Sequence, residues 1–137
     1  MDERSFTFGR NTGTPFDLIK NVKTIAMRGG SFVDAIIIDG MHFGGQGGNP
    51  TATLYVDPDD YISTIWISSG NVIDFIKFQT HKGQELQAGG HPHIGGHMHQ
   101  LDGKLTGLAG QTGYFQGGPP LVICRLTAML WTDQQSA

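Results

Sequence analysis

The stretch that decides the fold is GGSFVDAIIIDGMHFGGQGGN, residues 29–49. It places a short apolar strand, VDAIIID (33–39), between a glycine turn and the glycine cluster GGQGG (44–48). One carboxylate, Asp34, stands at the start of this strand. Glycines permit tight turns and allow the backbone to approach another group closely. The stretch therefore predicts a strand that begins at a single carboxylate and has glycines, with no side chain to cover the backbone, on both sides.

Short strands of the same kind recur along the chain and predict an all-β fold. Runs of β-branched and aromatic residues are separated by Gly, Asn, Pro and Asp, which is the pattern of strands joined by turns. The runs are SFTF (5–8), VKTIAM (22–27), VDAIIID (33–39), TATLYV (51–56), YISTIWIS (61–68), VIDFIKFQT (72–80) and LVICRLTAMLW (121–131). A length of 137 residues is expected to form one domain, residues 1–137.

The charge and hydropathy patterns exclude several classes of partner. The net charge is −3 and Lys and Arg form no stripe, so we expect no nucleic acid partner. The apolar runs are too short to cross a bilayer, and no membrane insertion is expected. The first residues, MDERSFTFGR, lack the apolar core of a signal peptide, which predicts a cytoplasmic protein or one exported by another route. The lone Cys124 is predicted to be a buried, inert thiol.

The segment around Asp34 is repeated later in the chain. IAMRGGSFVDAIII (25–38) and IWISSGNVIDFIKF (65–78) both carry a strand, a turn glycine, three residues, an aspartate and a second strand. A third copy, LTGLAGQTGYFQG (105–117), has its turn glycine at Gly113 and puts Gly117 where the aspartate belongs. The third copy is thus predicted to keep the framework and to lack the acid.

Glycine-rich loops form a second repeated element. GGQGG (44–48) is one such loop, GGHPHIGG (89–96) is a longer one, and residues 9–13 of FGRNTGTPF form a weakened one. Three repeats that cannot each bury an apolar face alone favour a closed three-fold arrangement of sheets. We place the repeat units at about 17–50, 51–96 and 97–131, with an N-terminal strand at 5–8.

These residues resemble the jacalin-related lectins, most closely their griffithsin-like, mannose-binding branch, from about residue 6 to 131. The resemblance implies a β-prism I fold of three four-stranded antiparallel sheets with pseudo-three-fold symmetry. It also implies sugar sites that each combine a Gly-x-x-x-Asp turn with a glycine loop from another repeat. Asp34 would face the 89–96 loop and Asp74 the 44–48 loop, whereas Gly117 and the 9–13 loop would form a third, degenerate site.

The chemistry of such a turn suits a neutral sugar. A carboxylate accepts short hydrogen bonds from two adjacent hydroxyls, and the turn amides donate to the same oxygens. An aromatic ring such as Phe32 would cover the C–H face of the sugar, whereas Val72 provides no such surface at Asp74. We therefore expect the Asp34 site to be the stronger one. The predicted sugar-binding residues are Gly30, Ser31, Phe32, Val33, Asp34, Gly44, Gly45, Gly70, Asn71, Val72, Ile73, Asp74, Gly89 and Gly90.

The resemblance implies a lectin for mannose or oligomannose glycans, with no enzyme activity, catalytic residue, metal or cofactor. Shallow sites of this kind gain affinity through multivalency, and a homodimer is the expected assembly. Two carboxylates would have to flank one bond for glycoside cleavage, whereas Asp34 and Asp74 belong to separate repeats. Binding without turnover is therefore expected.

Two hypotheses from other classes remain open. The segment HPHIGGHMH places His91, His93, His97 and His99 at spacings that metal sites use, although Pro and Gly interrupt it and structural histidines are the simpler reading. Alternatively, the chain is a β-prism protein-interaction or assembly module with little sugar binding. The insertion QGGPP (116–120) and the apolar LTAMLW (126–131) favour that alternative.

Overall fold

The chain folds into three antiparallel β-sheets, seen in a computed structural model that describes residues 1–90, 97–115 and 121–135. The strands in these ranges are β1 (Asp2–Gly9), β2 (Thr14–Lys20), β3 (Thr24–Gly29), β4 (Val33–Ile38), β5 (Met41–Gly44), β6 (Asn49–Pro50), β7 (Leu54–Tyr55), β8 (Ile62–Ser69), β9 (Ile73–Thr80), β10 (Glu85–Gly89), β11 (Met98–Asp102), β12 (Lys104–Tyr114) and β13 (Leu121–Thr132).

Each sheet is built around one hairpin that contains a predicted turn. Sheet I has the order β5-β4-β3-β6, and β7 also pairs with β3. Sheet II has the order β10-β9-β8-β11, and sheet III has the order β1-β13-β12-β2. The predicted all-β, three-sheet fold is confirmed. Sheet I has five strands rather than four because two short segments, β6 and β7, share the place of one longer strand along β3.

The two ends of the chain close the fold together. β1 pairs with β13 along its whole length, from Asp2 opposite Thr132 to Gly9 opposite Arg125. β2 lies at the other edge of the same sheet, against β12. The sheets therefore differ from the repeat units we predicted, because β2 belongs to sheet III and β11 to sheet II.

The main core lies between the three sheets and follows from the alternation of apolar residues along the strands. Its fully buried side chains come from all three sheets. The largest are Phe78, Ile25, Met27, Ile36, Ile38, Ile65, Ile67, Ile73, Ile76, Leu108, Ile123 and Leu126.

A second, smaller apolar cluster gathers residues from the three hairpin turns. Val72, Val122 and Cys124 are buried there, and Phe32 and Phe115 pack against them. Cys124 is buried, as predicted. This cluster places the turns of the three sheets side by side at one end of the fold. Within the described ranges, no helix has the length and apolar character needed to span a membrane.

Candidate functional site

The turns that carry Asp34 and Asp74 have the same backbone geometry. We call residues 30–34 the first turn and residues 70–74 the second turn. In the first, the Gly30 N–H donates to the Phe32 carbonyl at 3.0 Å, and in the second the Gly70 N–H donates to the Val72 carbonyl at 3.0 Å. Both carboxyl-bearing residues are largely buried, with 7% of Asp34 and 4% of Asp74 exposed. The repeat found in the sequence is therefore also a repeat in structure.

In each sheet, a backbone N–H of a glycine-rich loop donates to the backbone carbonyl of the residue at the acid position. This bond shows which residue holds that position in the third copy. The N–H of Gly45 donates to the Asp34 carbonyl at 2.9 Å, and that of Gly90 to the Asp74 carbonyl at 3.0 Å. In sheet III, the N–H of Arg10 donates to the Cys124 carbonyl at 3.0 Å. Cys124 thus occupies the structural position of the two aspartates.

This equivalence replaces the predicted one, in which Gly117 held the third acid position. Gly117 itself lies outside the described residues. The register supports Cys124, because Thr112 pairs with Ile123 just as Gly29 pairs with Val33. The connection between β12 and β13 is longer than its two counterparts. Counting four residues on from Gly113, as in the other two turns, therefore reaches Gly117 instead of Cys124. We call residues 113–124 the third turn.

The glycine loops approach turns of neighbouring sheets where a side chain would not fit. A Cβ on Gly90 would lie 2.9 Å from the Ser31 carbonyl oxygen. A Cβ on Gly29 would lie 2.8 Å from the Gly89 nitrogen. Gly89 and Gly90 therefore lie against the first turn, the neighbour expected from the resemblance for Asp34. His91 and His93, in the rest of this loop, lie outside the described residues.

The 44–48 loop approaches a different turn from the one predicted. Gly45 lies directly against the Leu121 carbonyl, and Leu121 is the counterpart of Ser31 in the third turn. Gly45 is therefore placed beside Cys124's turn rather than beside Asp74, which differs from the predicted pairing, whereas Gly44 lies against Asp34 and Ala35 of its own sheet. The 44–48 loop of sheet I thus reaches the turn of sheet III, just as residues 89–90 of sheet II reach the turn of sheet I.

If the 9–13 loop keeps this order, its neighbour is the second turn. Gly9 and Ser69 line one groove, which agrees with that direction. Arg10 then takes the place that Gly45 and Gly90 hold in the other loops. The first turn thus has an acid and two facing glycines, and the third has an intact glycine loop but a thiol. The predicted coincidence of a lost acid with a weakened loop in one site does not hold.

Phe32 lies on the inner side of the first turn. Phe32, Val72 and Val122 occupy equivalent positions two residues before Asp34, Asp74 and Cys124, and they meet in the smaller cluster. The ring of Phe32 lies 4.7 Å from that of Phe115, with an angle of 41° between the planes. The ring of Phe32, which we expected to stack on a sugar at Asp34, therefore lies on the side of the second turn.

Arg28 fastens the 44–48 loop and places a positive charge near the Asp34 carboxylate. Its Nε donates to the Gly47 carbonyl at 3.1 Å and its Nη2 to the Gly48 carbonyl at 3.0 Å. His42 Nε2 forms a 3.0 Å hydrogen bond with the Gly45 carbonyl oxygen. Burial raises the pKa of Asp34 above its usual value of 3.8, and the nearby positive charge of Arg28 opposes that rise.

Replacing Asp34 by asparagine is expected to stabilise the fold at neutral pH. Because burial raises the pKa of Asp34, the folded chain binds this proton at a higher pH than the unfolded chain does. The contribution of Asp34 to stability therefore falls as pH rises from 3.8 through the raised pKa. The free energy of unfolding of Asp34→Asn should exceed that of the wild type at pH 7, and the difference should shrink on acidification.

Urea titrations of both proteins between pH 7 and pH 3 would measure this difference. The exposed Asp17 of β2, changed to asparagine, is the matched control for loss of one negative charge. A difference for Asp34→Asn that stays constant over the whole range, or that grows on acidification, would contradict the expectation.

The described residues contain no group of three or more His, Cys, Asp or Glu side chains that could hold a metal ion. Of the four histidines singled out, His97 and His99 are described, with ring centroids 6.4 Å apart. His99 also contacts the ring of Phe8 at 5.1 Å. His99 therefore lies between the ring of His97 and Phe8 of β1.

Comparison with known proteins gives consistent matches in sequence and structure. Residues 5–116 match the Jacalin-like lectin domain family. Griffithsin from Griffithsia sp. (strain Q66D336) is 39% identical over 79 residues, which cover 58% of this chain and 63% of griffithsin. The match thus spans less than two thirds of griffithsin's length.

Solved β-prism structures superpose over almost the whole chain. Wild-type Malaysian banana lectin gives a TM-score of 0.73 at 20% identity, covering 93% of this chain and 96% of its own. A mannose-binding jacalin-related lectin from Ananas comosus gives 0.72 at 19% identity, covering 93% and 96%. The second β-prism domain of RbmC from V. cholerae gives 0.66 at 18% identity, covering 91% and 96%. At these identities the likeness establishes the fold.

Proposed function

The chain belongs to the Jacalin-like lectin domain family, and from that premise we propose that it binds mannose-type sugars at Asp34 and Asp74. The repeated turn is the observation behind the proposal. Each acid follows the same hydrogen bond within its turn, and the backbone carbonyl of each accepts an N–H from a glycine loop. The description of the structural relative from Ananas comosus as a mannose-binding lectin supports the sugar class.

Each proposed site uses one carboxylate and the backbone of its turn. The carboxylate accepts hydrogen bonds from two neighbouring hydroxyls, and the turn amides donate to the same hydroxyl oxygens. Gly89 and Gly90 bring the facing loop close to Asp34 without side chains in between. The third turn has a thiol at this position, which cannot accept a charge-assisted bond from a hydroxyl. Two sites per chain are therefore proposed.

Binding without turnover follows from the same chemistry. Glycoside hydrolysis uses two carboxyl groups on either side of one bond, about 5–10 Å apart. Each proposed site contains one acid, carried by its own sheet. Two weak sites per chain, and more in a homodimer, would supply affinity for branched oligomannose through multivalency.

Calorimetric titration with methyl α-mannoside and with a branched oligomannose tests the proposal. Charge-assisted hydrogen bonds contribute about 1.5–3 kcal/mol, so Asp34→Asn and Asp74→Asn should each weaken their own site roughly tenfold to a hundredfold. The double variant should bind neither ligand. Asp17→Asn, with the same loss of charge on β2, should bind as the wild type does.

Galactose serves as the ligand control, and two results would overturn the proposal. One is a wild-type protein that binds neither mannose nor oligomannose. The other is a double variant whose affinity for both is unchanged.

A further inference from the structure

A cavity of about 380 Å³ lies at the end of the fold opposite the three turns. Its lining includes Tyr61 just before β8, Lys104 at the start of β12 and Trp131 near the end of β13. Residues 21–23 and 56–58, which flank strands of sheet I, complete it. The second and third turns lie at the other ends of β8 and β13, about 25 Å away, because a strand rises about 3.3 Å per residue. The cavity is therefore separate from the proposed mannose sites.

Two aromatic side chains give this cavity its apolar part. Trp131 is 44% exposed and lies directly opposite Lys104 in the β12–β13 ladder, so both side chains leave the same face of sheet III. The ring of Tyr61 stacks on His81, with centroids 4.9 Å apart and an angle of 11° between the planes. The Nζ atom of Lys104 lies 5.7 Å from the centroid of Tyr61. A positive charge is thus placed beside two rings that a ligand can reach.

The charged groups of the cavity leave a surplus of positive charge for a ligand. Lys23 and Lys104 line it, and neither forms an ion pair with another of the described residues. Asp60 is buried, and its Oδ1 accepts two backbone N–H groups at 2.8 and 3.1 Å, so its charge is directed into the protein. Asp57 is exposed and sets one carboxylate against the two ammonium groups.

We propose that this cavity binds a sugar that carries a carboxylate, such as a hexuronic acid. The sugar ring packs on Trp131 and Tyr61, since the C–H face of a sugar suits an aromatic surface. The sugar carboxylate accepts hydrogen bonds from the ammonium groups of Lys23 and Lys104. The volume suits a ligand of this size, because small-molecule pockets occupy about 300–1,000 Å³. With mannose-type sites at the turns, one chain would link a neutral glycan to an acidic one.

The test compares methyl β-glucuronide with its neutral counterpart, methyl β-glucoside, by calorimetry. The full chain carries Asp34→Asn and Asp74→Asn, so that the turns do not contribute to binding. We expect the glucuronide to bind about threefold to tenfold more tightly, because two exposed ion pairs form with its carboxylate. The preference should shrink in about 1 M salt, where charges are screened beyond about 3 Å.

Variants of the lysines show whether the preference arises in this cavity. In the same protein, Lys23→Gln together with Lys104→Gln should abolish the preference and leave the affinity for the glucoside nearly unchanged. Lys20→Gln together with Arg10→Gln is the matched control, because both side chains are exposed, neither lines the cavity and the loss of charge is the same. That control should keep the preference.

The indole N–H signals in NMR spectra of the unmodified protein give a readout that needs no variant. The chain contains two tryptophans, Trp66 and Trp131, and Trp131 lines the cavity. Titration with the glucuronide should shift the signal of Trp131 and leave that of Trp66 in place. Equal affinity for the two glycosides, a preference that survives loss of both lysines, or shifts at the turns without one at Trp131 would overturn the acidic-sugar site. Each of these results would leave the proposed mannose binding at the turns as it stands.

Discussion

Replacing Gly89 by alanine is expected to destabilise the protein by about 3 kcal/mol and to weaken both proposed sites. Gly89 has a φ of 102°, where an L-residue costs about 1–3 kcal/mol. A Cβ there would also press against the Asp74 carbonyl, and overpacking of this kind costs about 1–3 kcal/mol more. That carbonyl accepts the N–H of Gly90, so the second turn and the loop facing the first turn are displaced together.

Urea denaturation measures the loss of stability, and calorimetry with oligomannose measures the loss of affinity. Gly30→Ala is the matched control for the stability measurement, because no atom lies within 4 Å of the place its Cβ would take. We expect that control to change the free energy of unfolding by no more than about 0.5 kcal/mol. A Gly89→Ala protein as stable as Gly30→Ala would show that the 89–90 backbone is not held as described.

The sequence predicted the strands in which apolar residues alternate or run together. VDAIIID and VIDFIKFQT became β4 and β9, the central strands of sheets I and II. Central strands are covered on both edges and at least one face, so their burial appears directly in the residue pattern. The repeat of Gly-x-x-x-Asp gave the correct turns because both hairpins close with the same number of residues.

The strands that do not stand out as apolar runs in the sequence are edge strands, or contain many glycines as β12 does, which was predicted only as the framework of the third copy. β2, TPFDLIK, lies at an edge of sheet III, where Pro15 does not interrupt a central ladder. β12, KLTGLAGQTGY, has glycines where neighbouring backbone comes close, as at Gly110 beside the Arg125 carbonyl. In both strands, tertiary pairing outweighs the weak local preference for extended structure.

The partners of the turns depended on information that is not local. Which loop faces which turn is decided by the closed order of the sheets, and no spacing along the chain encodes that order. The position of Cys124 was within reach of sequence reasoning, since VDA, IDF and ICR align when β4, β9 and β13 are matched by their apolar residues. A count from the turn glycine failed there because the third connection is longer.

The position of Asp34 also carries a cost in stability. Asp34 lies at the start of a strand whose other residues are mostly fully buried, and the same burial raises its pKa. Arg28 offsets part of this cost and at the same time fastens the 44–48 loop through Gly47 and Gly48. A purely structural role would be served as well by asparagine, which bears no charge to bury. The buried carboxylate is therefore better explained by the proposed binding of hydroxyl groups.

Truncating Phe78 to alanine is expected to lower the free energy of unfolding by about 3–5 kcal/mol. The ring is fully buried in the main core, opposite Ile65 on β8 and Leu86 on β10, so its removal leaves a cavity that three well-packed strands cannot close. Such a loss is a large part of the roughly 5–15 kcal/mol that stabilises a typical domain. The measurement is the urea concentration at the midpoint of unfolding. An unchanged slope of the transition would show that unfolding is still two-state.

Phe75 on the same strand provides the matched control, because its ring lies on the opposite, partly exposed face of sheet II. Phe75→Ala should cost about 1 kcal/mol, well below the cost of Phe78→Ala. Equal losses would mean that the inward and outward faces of β9 are wrongly assigned. Since the ring of Phe78 belongs to the main core and not to the cluster at the turns, the folded fraction of Phe78→Ala should bind oligomannose as the wild type does. Such a result would show that the main core determines the stability of the fold and that the turns determine its affinity for sugar.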